Sequence, residues 1–365
     1  MTSPAVRFVA IALLLGAIAA IAQTPPSADR DIYQTIGRQL FVLDCHDVHC
    51  YRILPAPILE HLPGPSLLKW KTYAVVTSAA AAIALGRLCI ALGLSSRAAI
   101  FATWISALGF GPLQAVFDPY TSDPLMYLLA PLMMADLLGE RLGRAGIIGS
   151  VGVLAKEFAA APLWIFALLC GLRRRWDSAV RTAFAASTAT LVWLALQTTL
   201  MTLYNYSYGN NPSVNLLSGG YFAVWTTALG LPRALAALFM TFGPLFVLMP
   251  VGFARADRTL RLLAVSSLPV VAAFAYVQQP DRALWNFHFV AIPMAMLALE
   301  ALPDALCWCF VIAFGIANLR LGEGQPAAVP WLRGIMLVVS LALAGMAVSA
   351  ASRREPAERF PAEAP

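Results

Sequence analysis

The sequence predicts an all-α protein, a polytopic transmembrane helical bundle of about 11–13 spans with amphipathic helices in its first outer loop. Three observations carry that expectation. Hydrophobic residues make up 60% of the 365-residue chain and charged residues 12%, and the mean hydropathy is +0.73, far above a soluble domain of average composition. Apolar stretches near the roughly 20 residues that cross a bilayer core recur along nearly the whole chain. The basic residues sit in short clusters between those stretches, as orientation signals do. The net charge of +6 therefore reads as topology, and nucleic acid is not an expected partner. No segment is long and polar enough for a separate soluble domain. Residues 1–352 are expected to form a single transmembrane domain, followed by a disordered cytoplasmic tail over the Pro/Ala/Glu-rich residues 353–365.

Hydropathy places spans near 5–23, 72–94, 97–116, 123–138, 144–155, 161–172, 179–201, 233–253, 260–277, 285–302, 305–319 and 333–351. The start of the chain, Arg7 followed by an apolar run to Ala22, could be a cleaved signal peptide, since Ala20-Ile21-Ala22 has a small-x-small ending. An uncleaved span is the preferred reading because the run is long enough to cross. With a cytoplasmic N-terminus, the inner loops collect Arg97, Arg141, Arg144, the Arg173–Arg175 cluster with Arg181, Arg255, Arg258, Arg261 and the Arg353-Arg354 tail. The outer loops are poorer in basic residues, which is the positive-inside asymmetry. This orientation sends five polar segments to one outer side: residues 24–70, 118–124, Lys156-Glu157, 202–232 and 278–288.

Residues 24–70, the first outer loop, are too long for a plain connector. Ile32, Ile36, Leu40 and Leu43 recur at helical spacing, so residues 29–43 should form an amphipathic helix, with a second over 51–62 after a hinge. Asp29 and Asp31 open the first helix. Either could simply favour the positive end of a helix, or could point into a cleft and accept a proton from an acceptor hydroxyl. Between the helices lies Cys45-His46-Asp47-Val48-His49-Cys50. A Cys45–Cys50 disulfide is the economical account outside the cytoplasm, ahead of free thiols or a zinc site, because four adjacent ligands rarely close a tetrahedron. Cys89, Cys170, Cys307 and Cys309 fall in spans as small apolar residues.

Lys156-Glu157 interrupts an apolar run, and Arg52, Lys156 and Arg282 are the outer-side cations able to hold phosphate. Snorkelling or a lipid headgroup is the bland alternative for each. Asp118 and Asp123 flank an Asp-Pro turn, which turn formation alone could explain; a metal or sugar hydroxyls are the other reading. The aromatic residues Tyr204–Tyr208 and Tyr221–Trp225 suit sugar stacking or an interfacial belt.

Asp29-Arg-Asp-Ile-Tyr33 with Ile36-Gly37, Tyr51-Arg-Ile-Leu-Pro55, Ser122-Asp-Pro124, Lys156-Glu157 and Asp281-Arg-Ala-Leu-Trp285 occur in this order over roughly residues 5–300. Together they resemble the C-type glycosyltransferase superfamily of polytopic membrane enzymes, in a bacterial branch. The chain departs from that pattern in the Cys-His insert before Tyr51, in Pro55-Ala-Pro57, and in carrying two acids where one is expected. The resemblance implies an inverting transfer of sugar from a polyprenyl-phosphate donor at the outer face of a bacterial cytoplasmic membrane, with the site toward the periplasm. It implies Asp29 or Asp31 as the base, and Arg52, Asp123, Lys156, Glu157, Asp281 and Arg282 as substrate-binding residues. No cofactor is certain from the sequence, and a divalent metal is an open alternative; no metal-ligand set is assigned.

A multi-span transporter or flippase is the main rival, favoured by Arg87, Asp136 and the Gly/Pro-rich spans. A non-catalytic scaffold is the third reading. No P-loop, dinucleotide fingerprint or serine-hydrolase elbow stands out.

Overall fold

Alternation of apolar stretches with Pro, Gly and Arg clusters produces helices of very unequal length. The computed structural model describes residues 3–207, 230–274, 280–322 and 328–353, and among the described residues the regular structure is helical throughout. We number the α-helices α1 (Pro4–Ile21), α2 (Ala28–Arg38), α3 (Pro55–His61), α4 (Ser66–Ala91), α5 (Ser96–Ala107), α6 (Phe110–Phe117), α7 (Asp123–Leu138), α8 (Leu142–Gly152) and α9 (Ala161–Leu172). They continue as α10 (Trp176–Tyr204), α11 (Gly230–Phe242), α12 (Pro244–Arg255), α13 (Arg258–Phe274), α14 (Pro280–Leu284), α15 (His288–Leu299), α16 (Asp304–Asn318) and α17 (Ala328–Arg353). The expected aromatic segment Tyr221–Trp225, with Tyr208, and the tail beyond Arg353 lie outside the described residues.

Each of the twelve hydropathy windows contains helix in its described part, but they are not equivalent. Among the described residues six stretches are long and apolar enough to cross a membrane: Pro4–Ile21, Ser66–Ala91, Ser96–Phe117, Trp176–Tyr204, Asp281–Leu299 and Ala328–Arg353. The window at 233–253 is a bent pair, with α11 and α12 meeting at 103°. Gly243 at the break has φ +51, a left-handed conformation that glycine adopts without steric cost, and Pro244 then starts the next helix. Glu157–Leu172 and Asp304–Asn318 are shorter apolar helices.

Within a bilayer the hydrophobic effect does not drive helices together, so close packing of small side chains must. α4 supplies it: Ala74, Ala79, Ala82 and Leu85 are fully buried, and the helix packs on α1, α5 and α7. The Asp281–Leu299 stretch is the most enclosed of the six, while α10 turns Val180, Phe184 and Leu191 outward.

Polar contacts divide into two ends, matching the alternation of spans. At the arginine-rich end Arg97 pairs with Asp304 (2.5 Å), Arg141 and Arg144 with Asp136 (both 3.0 Å), and Arg175 with Glu140 (2.9 Å). There too Arg255 donates to the Ala351 carbonyl (2.6 Å). At the other end Lys71 donates to the carbonyls of Ala19 and Ala22 (2.7 and 2.8 Å), and the Gln23 amide to Leu321 (2.8 Å). Asp136, a candidate transport group, is thus neutralised by two arginines at the arginine-rich end. Arg87 is exposed one turn before the end of α4, beside the start of α1 in an apolar cleft with Phe8, Ile83 and Leu128.

Candidate functional site at the end opposite the arginine clusters

The first outer loop folds back over the ends of the long helices. Ser27 caps α2 by accepting from the Asp29 amide (3.2 Å), which places Asp29 and Asp31 in the first turn. The inner face of α2 buries Tyr33 and Ile36 completely or nearly so. Gly37 lets α2 approach α3: a Cβ there would lie 2.3 Å from Glu60 Cγ and 2.8 Å from the Ala56 carbonyl oxygen. Glu60 is held in turn by Trp70 Nε1 (2.8 Å) and Ser66 Oγ (2.5 Å), so α3 is fastened to α4 and carries α2 with it.

The amphipathic helix expected over 29–43 stops at Arg38, leaving Leu40 and Leu43 exposed. Tertiary contacts override the apolar period there. The amide of Asp44, at φ +59, donates to the Tyr204 carbonyl (3.0 Å), and Ser207 N donates to Cys45 O (3.0 Å). These bonds draw the chain toward the end of α10. Cys45 and Cys50 form a disulfide, and Val48–Tyr51 make a short 3₁₀ turn. The second expected amphipathic element is reduced to that turn and Pro55–His61. Of the remaining cysteines, Cys89, Cys170 and Cys307 are buried as expected, whereas Cys309 is exposed.

Four separated segments meet beneath this loop. Asp123 opens α7 with its carboxylate 3% exposed, and Lys156 and the Arg282 guanidinium both pair with it, the latter at 3.0 Å. Arg282 also donates to Thr121 Oγ1 (2.9 Å) and approaches Asp29 Oδ2 at 3.5 Å. Arg52, buried, reaches Glu157 at 3.3 Å. Asp281 accepts from the Arg282 amide (2.9 Å). Asp31 is exposed on the outer face of α2, its carbonyl receiving Thr35 Oγ1 (2.7 Å). The structure therefore joins Asp29, Arg52, Asp123, Lys156, Glu157 and Arg282 in one charged region, with Asp281 at its margin and Asp31 outside it.

The position is recessed. α8 has 11 residues, about 16 Å at 1.5 Å per residue, roughly half a bilayer core. Lys156 follows directly and is 6% exposed, so the end of α8 presents its charge well below the loop tips. Burial alone would lower the Arg52 guanidinium, but Glu157 and its other neighbours outweigh that cost and move it up.

Two further residues of the outer segments join the cluster, though neither was among the expected catalytic or substrate-binding residues. Asp118 has a buried Oδ1 without a hydrogen-bond partner, and burial pushes its carboxyl up to about 6 against the pull of Arg282. Its Asp-Pro context explained it as a turn residue, which hid this environment. His49 directs Nε2 toward Asp29 Oδ2 (3.6 Å) and holds Asp47 Oδ1 at Nδ1 (2.5 Å). The density of the Cys-His motif pointed to a disulfide or a metal and gave no hint of this fold-over. Among the described residues no group of three His, Cys, Asp or Glu side chains is arranged to hold a metal ion.

Fold and site thus define an all-helical, multi-pass membrane protein with a recessed, mixed-charge cluster at one end. No protein-family model and none of the curated proteins matches the chain. Among solved structures it is similar to the oligosaccharyltransferase of Archaeoglobus fulgidus in the apo form, at TM-score 0.49 and 12% identity. That alignment covers 94% of this chain and 56% of the other. The A. fulgidus oligosaccharyltransferase AglB in complex with an inhibitory peptide and a dolichol-phosphate aligns at TM-score 0.46 and 12% identity, again over 94% and 56% of the two chains. The protein therefore spans a little over half the length of these neighbours.

Proposed function

We propose that the protein is a membrane glycosyltransferase of the C-type superfamily, moving a sugar from a polyprenyl-phosphate carrier to an acceptor hydroxyl with inversion. The observation that carries this reading is a partly exposed carboxylate beside a cationic cluster: Asp29, 21% exposed, with Arg282 at 3.5 Å and Lys156 and Arg52 in the adjoining charge network. The acceptor oxygen attacks the anomeric carbon, and the bond from that carbon to the carrier phosphate breaks with its electron pair passing to the phosphate. Asp29 takes the acceptor's proton. Asp123 is ill suited to that task, being enclosed and engaged by two cations, and Asp31 faces away.

Charge growing on the departing phosphate is met by the cations. Arg52 retains a buried Nε with no hydrogen-bond partner, and a guanidinium can grip phosphate through two nitrogens. Asp123 holds Lys156 and Arg282 in place before the carrier arrives. The bilayer solvates the polyprenyl tail while the recess receives the headgroup. We assign the protein to a bacterial cytoplasmic membrane with this end toward the periplasm, on the arginine asymmetry.

The test is reconstitution of the full chain in liposomes with radiolabelled undecaprenyl-phosphate glucose or mannose. Label should leave the carrier with the parent. Movement of the carrier or sugar across the bilayer without cleavage would instead establish a transporter.

A further inference from the structure

The Asp29 carboxylate has a neighbour that the transfer reaction as described does not use. His49 sits on the disulfide-closed loop with Nε2 3.6 Å from Asp29 Oδ2 and Nδ1 2.5 Å from Asp47 Oδ1. Asp47 is fixed in turn, its Oδ1 also accepting from the His49 amide (2.8 Å). A carboxylate at Nδ1 selects the tautomer with its proton there, leaving the Nε2 lone pair toward Asp29. Two lone pairs facing one another repel, so this contact is favourable only when one proton lies between them, as an acid facing an imidazole or a carboxylate facing an imidazolium. Asp47, at 40%, is the most exposed of the three side chains, against 21% for Asp29 and 16% for His49.

We propose that His49, oriented by Asp47, is the positioning residue that receives from Asp29 the proton taken from the acceptor and passes it to solvent. The proposal rests on the transferase reading. The proton leaves the acceptor oxygen as that oxygen bonds to the sugar, and resides on Asp29. It crosses to His49 Nε2 as the gap closes or through one bridging water, giving an imidazolium stabilised by Asp47. Loss of that proton to water restores the neutral ring and an ionised Asp29 for the next cycle. No electrons change hands, and the other product is the carrier phosphate.

The surroundings suit a transient cation. Asp29 and Tyr33 face the ring from α2, with the phenol in edge contact at 5.6 Å between centroids. Asp47 faces it from its own loop; burial alone would raise that carboxyl, but the hydrogen bonds from the His49 ring and amide, with smaller contributions from the charges of His49 and Arg52, hold it below its ordinary range. Arg282 approaches the same Asp29 oxygen, Oδ2, at 3.5 Å, and α10 packs against this loop through Leu200 and Tyr204. A permanently charged His49 would make Asp29 a poorer base, so the neutral ring is the working form.

The test uses full-length protein in liposomes with undecaprenyl-phosphate [14C]glucose and [14C]mannose, following label released from the carrier between pH 5 and 8. The parent rate should rise with pH across this window, because the relay needs a neutral imidazole at Nε2 to receive the proton. His49→Gln should lower kcat about tenfold or more with KM for the carrier within about twofold, and should lose that rise. Asp47→Asn should shift the rise, and added imidazole should restore part of the rate to His49→Ala, which loss of structure alone would not allow. A His49→Gln protein that melts like the parent and matches it at every pH sinks the relay while leaving the transferase standing. A parent that releases no label from either carrier removes both.

Discussion

Replacing Asp123 by Asn tests whether the cluster is one electrostatic unit. The Asp123 carboxylate is 3% exposed and is paired with Lys156 and, at 3.0 Å, with Arg282. Asn keeps the shape but removes the charge, leaving two enclosed cations facing each other and Arg52 without their shared counter-ion. Removing one partner of a buried pair costs about 3–5 kcal/mol, because the remaining charge is stranded rather than solvated. At roughly 2 °C per kcal/mol for a chain this large, the apparent melting temperature in detergent should fall by about 6–10 °C. Lys156→Met should restore part of that loss in the double variant, since it removes one stranded charge, giving a coupling of at least about 1 kcal/mol. An Asp123→Asn protein that melts within a degree or two of the parent, or strictly additive single and double variants, would show that the three residues do not form a unit.

Other perturbations follow from the same geometry. Asp118 binds its proton more tightly in the folded state, at about 6 against the ordinary ~3.9, so its contribution is complete at low pH and is lost as pH rises through about 6. Asp118→Asn should remove that loss and raise stability above pH 7 by up to about 3 kcal/mol, read as a flatter dependence of melting temperature on pH from about 4 to 7. Cys45→Ser with Cys50→Ser should cost about 2 kcal/mol or less, because the bridge closes a short loop. The bonds from Asp44 to Tyr204 and from Ser207 to Cys45 also hold that segment, so melting and transfer should both persist. Single cysteines at residues 40 or 43, both exposed, should label from outside intact cells, while one at residue 174 should not; the reverse pattern would invert the orientation.

The helices were legible because a bilayer demands apolar runs, and a run betrays itself without knowledge of its neighbours. Lengths were less so: the window at 233–253 reads as one crossing, yet Gly243-Pro244 bends it by 103°, a break of the kind a Gly-Pro dipeptide marks. Much of the site was legible for the complementary reason. Lys156, Asp123 and Arg282 are charges set against apolar sequence, and such charges need partners; they found one another. What local pattern could not supply was the direction of each side chain in the first loop. Asp29 and Asp31 are equivalent as helix-start acids, and only the burial of Tyr33 and Ile36 turns one toward Arg282 and the other away. The period that extended α2 through Leu43 was real, but backbone bonds from Asp44 and to Cys45 prevailed over it. His49 was hidden by its own surroundings, where two cysteines five residues apart offered a sufficient explanation for the whole motif.

Asp29→Asn addresses the central claim most directly, because it removes the basic lone pair while preserving the side chain's size and its place in the first turn of α2. With full-length protein in liposomes and labelled undecaprenyl-phosphate glucose or mannose, release of label from the carrier should fall on the order of 100-fold or more. Carrier binding and melting temperature should stay close to those of the parent, and Asp31→Asn should behave as the parent does. Transfer by Asp29→Asn at the parent rate would contradict the account and reduce Asp29 to a helix-start residue.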